Sequence, residues 1–132
     1  MRFENRRAVV TGGASGIGAA VAKRIEAEGG AVVIWDVNGG IRTDVSDYVS
    51  VENALTQTVA AIGGVDILVN SAGITGPTVP LAEFPVDEWQ RVMAINLNGA
   101  FHANRAVVPL MTAQNYGRIV NIASIAGKEG NP

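Results

Sequence analysis

Apolar residues in this chain gather into short β-branched runs, separated by stretches where they recur every three or four positions, and that alternation predicts strand, helix, strand, helix. Arg7 to Val10 reads as a first buried strand. After the run Thr11-Gly12-Gly13-Ala14-Ser15-Gly16-Ile17-Gly18, the residues Ile17, Val21 and Ile25 share one helical face, and Gly29-Gly30 ends the helix. Ala31 to Ile34 is a second apolar strand that runs into Trp35-Asp36. Ser46 is the expected N-cap of a helix whose inner face is Val51, Leu55, Val59 and Ile62, stopped by Gly63-Gly64. Val65 to Val69 is almost continuously apolar, as a strand buried on both faces should be. Thr75 to Pro85 is a loop, and Asp87 and Glu88 suit the first turn of the helix after it. Trp89, Met93, Ala100, Val107 and Met111 lie at helical spacing on a long amphipathic run reaching Gln114, a stripe that reads as core or subunit contact. Asn115-Tyr116-Gly117 then turns the chain into a last strand, Gly117 to Ser124.

One interval breaks the rhythm. Only Val37 to Thr43 separates Asp36 from Asp44-Val45, whereas a crossover between parallel strands needs roughly ten or more residues. A third parallel strand therefore cannot arise here in the usual way. A tight hairpin at Asn38-Gly39 would carry the chain to the far end of the sheet, yet the next helix must start at the end where the strands finish. Residues 38 to 46 are accordingly expected to stay as a loop at that end, with at most a short edge pairing.

The glycine run carries the candidate chemistry. Gly12 lets the chain leave its strand through dihedrals closed to residues with a Cβ, and Gly16 and Gly18 remove side chains where a phosphate and a neighbouring strand must approach. The free N–H groups of the following helix's first turn then favour an anion, and a diphosphate is the natural guest. Three glycines so close together can also mark an ordinary tight turn. The spacing Gly-x-x-x-Gly-x-Gly differs from the common Gly-x-Gly-x-x-Gly, and no Gly-Lys-Ser/Thr follows as a P-loop requires. About twenty residues on, Asp36 ends the second strand, where a carboxylate can accept hydrogen bonds from ribose hydroxyls and would repel a 2′-phosphate. That favours NAD over NADP; the plainer alternative is a solvated turn residue before Asn38-Gly39.

This pattern resembles the short-chain dehydrogenase/reductase superfamily, and the resemblance runs through the later motifs. It implies cofactor contacts at Gly12, Ser15, Gly16, Ile17, Gly18 and Asp36, and NADP-preferring relatives often carry a basic residue where Ser15 stands. Asp44-Val45 matches the family's adenine-contacting pair. Asn70-Ser71-Ala72-Gly73 is similar to the family's Asn-Asn-Ala-Gly, which implies that Asn70 bridges backbone groups of neighbouring strands while Ala72 and Gly73 leave room for the adenosine ribose and phosphates. Asn96, within Ile95-Asn96-Leu97-Asn98-Gly99-Ala100-Phe101, matches the asparagine that bends the family's long helix and whose main chain holds a water in a proton relay. Ser124 matches the serine that hydrogen-bonds the substrate oxygen, and it has no Gly-x-Ser-x-Gly elbow of a hydrolase. The family's Tyr-x-x-x-Lys general acid/base pair follows that serine by roughly a dozen residues. Neither Tyr48 nor Tyr116 has a lysine four residues on, and Lys128 is too close after Ser124 to be the family's lysine. His102 and Arg105 are read as surface or packing residues.

Composition narrows the partners. With 132 residues, 48% of them hydrophobic, and a net charge of −2, the chain can build a real core. It has no basic surplus for nucleic acid and no apolar run near twenty residues for a bilayer. Residues 1 to 7 are charged and lead into too short an apolar run for a signal peptide. Without cysteine the default compartment is the cytoplasm, and a lone histidine excludes a multi-histidine metal site. No metal is expected.

The resemblance thus implies a Rossmann-type α/β fold, a doubly wound parallel sheet of order near 2-1-4-5, its third strand and crossover helix shortened or absent and its C-terminal strands missing. Residues 1 to 132 would be the NAD(P)-binding, N-terminal portion of an NAD(H)-dependent oxidoreductase that interconverts a secondary alcohol and a ketone. Small-molecule substrates like those of 3-oxoacyl-acyl-carrier-protein reductases or sugar and polyol dehydrogenases would suit it, in a homo-oligomer, tetramer or dimer, built on the long helix. The competing expectations are a nucleotide-binding fragment without turnover, lacking the Tyr-x-x-x-Lys pair, and a non-catalytic interaction protein on the same fold.

Overall fold

The alternation of Ala8, Val9 and Val10 along the first strand decides the layering of the molecule. In a computed structural model describing residues 1 to 130, all three side chains are fully buried. Ala8 and Val10 face one helical layer and Val9 the other, because successive side chains of a strand point to opposite faces. The strands β1 (Arg7–Thr11), β2 (Ala31–Asp36), β3 (Ile41–Arg42), β4 (Ile67–Asn70) and β5 (Arg118–Asn121) form one parallel sheet in the order β3-β2-β1-β4-β5. On one face α1 (Gly16–Ala27) packs Ala22 and Ile25 against Ala8, Val10, Ile67 and Val69. On the other, α2 (Tyr48–Ile62) and α4 (Gly99–Ala113) enclose Val9, Trp35 and Leu68. A parallel sheet covered on both sides is the doubly wound fold that the chain's pattern implies.

The short interval after β2 behaves as its length dictates. Val37 to Gly40 folds back by one step, and Ile41–Arg42 then pairs in parallel with Trp35 and Asp36 as a two-residue edge. Gly40 makes this possible: its φ is +63°, and a Cβ there would overlap the carbonyl of Ile34. No helix intervenes, and the remaining strands stand in the expected order 2-1-4-5.

Helix faces are where the structure departs from the periodicity. In α1 the buried residues are Gly18, Ala22 and Ile25, and Ile17 is 63% exposed. In α2 they are Val51, Ala54 and Thr58; of the expected face Val51, Leu55, Val59 and Ile62, Val51 is buried and Leu55 packs partly buried on the core, while Val59 is exposed. The rotation follows from Trp35, which fills the space beneath α2: its indole N–H donates to Thr58 Oγ1 at 2.9 Å, and the hydroxyl in turn donates to Ala54 O at 2.8 Å. The helix begins one residue later than expected, with Asp47 as N-cap accepting from Val49 N at 3.0 Å. Ser46 is taken by Asp44, whose Oδ1 accepts from Ser46 N and Oγ.

The long run does not form a single stripe. α3 (Val86–Met93) joins α4 through a π-helical turn over Ala94–Asn98, which inserts extra backbone and shifts the angular phase of what precedes it. Trp89 is consequently 56% exposed, while Gly99, Ala103, Ala106, Val107 and Met111 form the buried face.

At the end of the sheet where strands start, one cluster ties four elements together. Arg7 donates from Nε and Nη2 to Asp66 at 2.9 and 2.8 Å and from Nη1 to Gly63 O at 2.8 Å. Gln114, capping α4, donates to Val65 O at 2.6 Å and to Tyr116 O at 2.9 Å. The Arg7 guanidinium holds the buried Asp66 carboxyl below its ordinary value of 3.8, against the opposing push of burial.

Two outcomes follow for stability. A Thr58→Val variant keeps the shape and strands the Trp35 N–H, so denaturant titration should show a loss of about 1–3 kcal/mol. Because Asp66 titrates lower when folded than when unfolded, its contribution is present above pH 3.8 and disappears as pH falls through the folded value. Asp66→Asn should be less stable at neutral pH and lose less stability on acidification than the parent chain, measured by unfolding at a series of pH values.

Candidate functional site

The ends of β1, β2 and β4 open into one cavity of about 680 Å³, within the usual range for a small-molecule site. Its floor is backbone brought unusually close. Gly12 has φ +64°, and a Cβ on it would stand 2.8 Å from Ala72 Cα; Gly18, in the first turn of α1, would overlap the Gly12 carbonyl if it had one. The glycines therefore let helix, turn and neighbouring strand end touch. Gly16 has φ +55° and open space where its Cβ would be, facing the cavity. The first turn of α1 has no acidic residue and no side-chain cap from Ser15, so its N–H groups remain available to an anion.

Gly12, Ser15, Gly16, Ile17, Asp36, Asp44, Val45, Ala72 and Gly73 all line this cavity. Asp36 is fixed by both oxygens, Oδ2 accepting from Ala14 N at 3.0 Å and Oδ1 from Asn38 N at 2.9 Å, so the carboxylate is held against the glycine turn with lone pairs to spare. Val45 is buried against Gly99, and its carbonyl accepts from His102 Nδ1 at 2.8 Å. A carbonyl can only accept, so Nδ1 carries the proton. His102 packs in a tilted arrangement with Tyr48, whose ring lies under the Arg105 guanidinium at 4.7 Å. Both residues serve packing, as expected, and His102 also holds the cavity wall.

Gly18, Asn70, Asn96 and Ser124 lie outside the lining. Gly18 supports the floor. Asn70, 6% exposed, does not bridge backbone through its side chain: Nδ2 donates to Asn104 Oδ1 at 2.7 Å and Asn121 Oδ1 at 2.8 Å, and Asn104 Nδ2 donates to Asn121 Oδ1 at 3.3 Å. The backbone ladder already satisfies the strand ends, which leaves this amide free to join β4, β5 and α4. Asn96 sits in the π-turn and meets Ile74 twice, accepting from its N and donating to its O, both at 2.8 Å. Ser124 is exposed beyond β5, and its Oγ accepts from Ala126 N at 3.1 Å, leaving the hydroxyl hydrogen free to donate.

Sequence reasoning passed over Thr11. Its buried Oγ1 accepts from Ser71 N and Ala72 N, each at 3.1 Å, and so stitches the end of β1 to the turn after β4. The signal was a lone hydroxyl closing an apolar strand. Val37, Asn38, Thr43, Arg91, Ile95 and Ile122 also line the cavity without having been singled out. Among the described residues no group of three His, Asp or Glu could hold a metal ion, and no helix is long and apolar enough to cross a membrane.

Comparison with known proteins agrees with this geometry. The 2-dehydro-3-deoxy-L-rhamnonate dehydrogenase (NAD(+)) of Sphingomonas sp. (strain SKA58) is 57% identical over 99% of this chain and 58% of its own length. The cis-4-hydroxycyclohexanecarboxylate dehydrogenase of Sinomonas cyclohexanicum is 41% identical over 97% of this chain and 58% of its own length. The crystal structure of an NAD+-bound xylitol dehydrogenase superposes with a TM-score of 0.93 at 34% identity, covering 100% of this chain and 58% of that one. This chain thus spans 58% of the length of these relatives. The alignment with the rhamnonate enzyme runs over 145 positions against 132 residues here, so that enzyme carries residues inside the matched stretch that this chain lacks. A family model described as short chain dehydrogenase matches residues 39–132, well over half of the sequence. On these likenesses and on the glycine-floored cavity, the chain belongs to the short-chain dehydrogenase family.

Proposed function

We propose that residues 1 to 132 form the NAD(H)-binding portion of an oxidoreductase that interconverts a secondary alcohol and a ketone. The observation that carries this reading is the open α1 N-terminus, floored by Gly12 and Gly18 and flanked by the Asp36 carboxylate. The residues fit an adenine dinucleotide. Ser15, Gly16 and Ile17 would hold the pyrophosphate with backbone N–H groups, while Gly12, whose own N–H donates to Trp35 O at 2.8 Å, would let the cofactor lie close to the main chain above the Gly18 packing point. Asp36 would accept from the ribose hydroxyls and oppose a 2′-phosphate. Asp44 and Val45 would border the adenine, and Ala72 and Gly73, braced by Asn70 below, would leave room for the adenosine ribose and phosphates. When bound, the nicotinamide supplies hydride transfer.

Of the chain's own residues, Ser124 has the free hydroxyl hydrogen to orient a substrate oxygen, and Asn96 sets the turn through which a water relay would pass. Neither tyrosine is placed to move the substrate proton. Tyr116 precedes β5 at the opposite end of that strand from Ser124, with the guanidinium groups of Arg6 and Arg118 against its ring, and Tyr48 packs on His102 and Arg105. This favours, as a second reading of these residues taken alone, a dinucleotide-binding unit without turnover. Two relatives bear the names of carboxylates, a rhamnonate and a cyclohexanecarboxylate, which supports a carboxylate-bearing hydroxy compound as substrate class. The exposed stripe Leu97, Phe101 and Val108 supports a homo-oligomer through the long helix, and the lack of cysteine supports a cytoplasmic site.

Titration calorimetry tests the cofactor assignment. NAD should bind at least about tenfold more tightly than NADP, a difference of about 1.4 kcal/mol, and Asp36→Ala should narrow that ratio mainly by improving NADP. Equal affinities in the parent chain, or an unchanged ratio in the variant, would overturn the role of Asp36. Thr11→Val should weaken NAD binding with the helical circular dichroism retained, and Thr11→Ser should restore it.

A further inference from the structure

We infer that Arg91 is the anchor for the carboxylate of the substrate, an assignment that rests on the dehydrogenase reading above. Beside the dinucleotide cavity lies a second, open depression of about 730 Å³, and the two share Gly73, Ile74 and Arg91. Among the described residues, Arg91 is the only positively charged one lining either space. The rest of the second depression is apolar or uncharged, with Ile74, Pro77 and Pro85 on its walls, except for Glu88.

The guanidinium there is underused. Among the described residues its one ionic partner is Glu88, one turn earlier on α3, through a single N···O approach of 3.6 Å, and its side chain is 60% exposed. A guanidinium presents five donors in a planar fork that a carboxylate satisfies with two parallel hydrogen bonds. The single long contact to Glu88 leaves that fork largely open. Electrostatics along the joined cavities point the same way. Asp36 and Asp44 sit in the dinucleotide cavity, so an anionic group meets repulsion near them and attraction at Arg91.

Arg91 is also held in place relative to the shared wall. α3 runs directly into the π-turn, where Asn96 grips Ile74 by two hydrogen bonds of 2.8 Å. Gly76 lies close on Val92 and Phe84, with φ +69°, so the loop forming the depression is packed on the same helix. A ligand whose alcohol carbon lies beside Gly73 could therefore extend its carboxylate to Arg91 with neither end of the site free to drift.

The test compares each of two hydroxy acids, gluconate and cis-4-hydroxycyclohexanecarboxylate, with its own carboxamide, by ligand-observed NMR and calorimetry on the protein with and without saturating NAD. At least one acid should bind about tenfold more tightly than its amide. Arg91→Gln should erase that preference, Arg91→Lys should keep part of it, and NAD affinity should stay unchanged in both variants. Equal binding of acid and amide across both pairs, or a preference that survives in Arg91→Gln, overturns the assignment. Loss of NAD affinity in Arg91→Gln overturns it too, by assigning the guanidinium to the cofactor's phosphates. Failure of the parent chain to bind NAD counts against the cofactor reading, and the acid-amide comparison without NAD still decides the role of Arg91.

Discussion

The contact on which the rest depends is backbone against backbone at the top of the sheet, where the turn after β1 touches both the first turn of α1 and the turn after β4. Gly18 lets the helix come down on Gly12, and Gly12 lets the turn come up to Ala72. No side-chain interaction replaces such an approach, since even one methylene would force the three segments apart. Thr11 then bonds the two strand ends from below. With these segments locked, the N–H groups of α1, the Asp36 carboxylate and the small residues after β4 converge on one cavity instead of lying on separate loops.

Stability and recognition occupy opposite ends of the sheet. Where the strands start, Arg7, Asp66 and Gln114 join the beginnings of β1 and β4 to the ends of α2 and α4 through hydrogen bonds, those that involve Arg7 or the Asp66 carboxylate being charge-assisted. Where the strands finish, polar groups are left with capacity to spare: the first turn of α1, the Ser124 hydroxyl and the Arg91 fork. An open α/β sheet takes its ligand at the carboxyl ends of its strands, at the point where strand order reverses. Here that point lies between β1 and β4.

Much of this was legible in the chain. The β-branched runs located the strands, the glycine spacing located the turn, and the shortness of residues 37 to 43 already excluded a full crossover helix. What stayed hidden was rotation and partnership. Helical periodicity gave α2 an apolar face, but the actual face is set by the size of Trp35 and its need for an acceptor, which only Thr58 provides. The stripe from Trp89 to Met111 was broken by a π-turn around Asn96, where the family resemblance implied a bend and no spacing rule did. Asn70 was expected to bond backbone, yet Asn104 and Asn121, distant in sequence, supply amide partners at the same point in space. The face of α2 and the amide cluster depend on contacts between residues far apart along the chain, whereas the strands and the glycine turn follow local preference.

The wide turn at Ala94–Asn98 makes the join between the two halves of the long helix an adjustable coupling. Removing one residue from it would close a regular helix and leave everything upstream facing nearly as before, because five residues of π-turn sweep roughly the same angle as four of α-helix, while the core side chains of α4 kept their places. The loss of one residue at this spot is therefore absorbed locally, without rotating the recognition surface. The same change two turns later, in regular helix, would drive core side chains out of the packed layer, so the wide turn is a position where the long helix can lose a residue without disturbing the interior or re-aiming its binding groups.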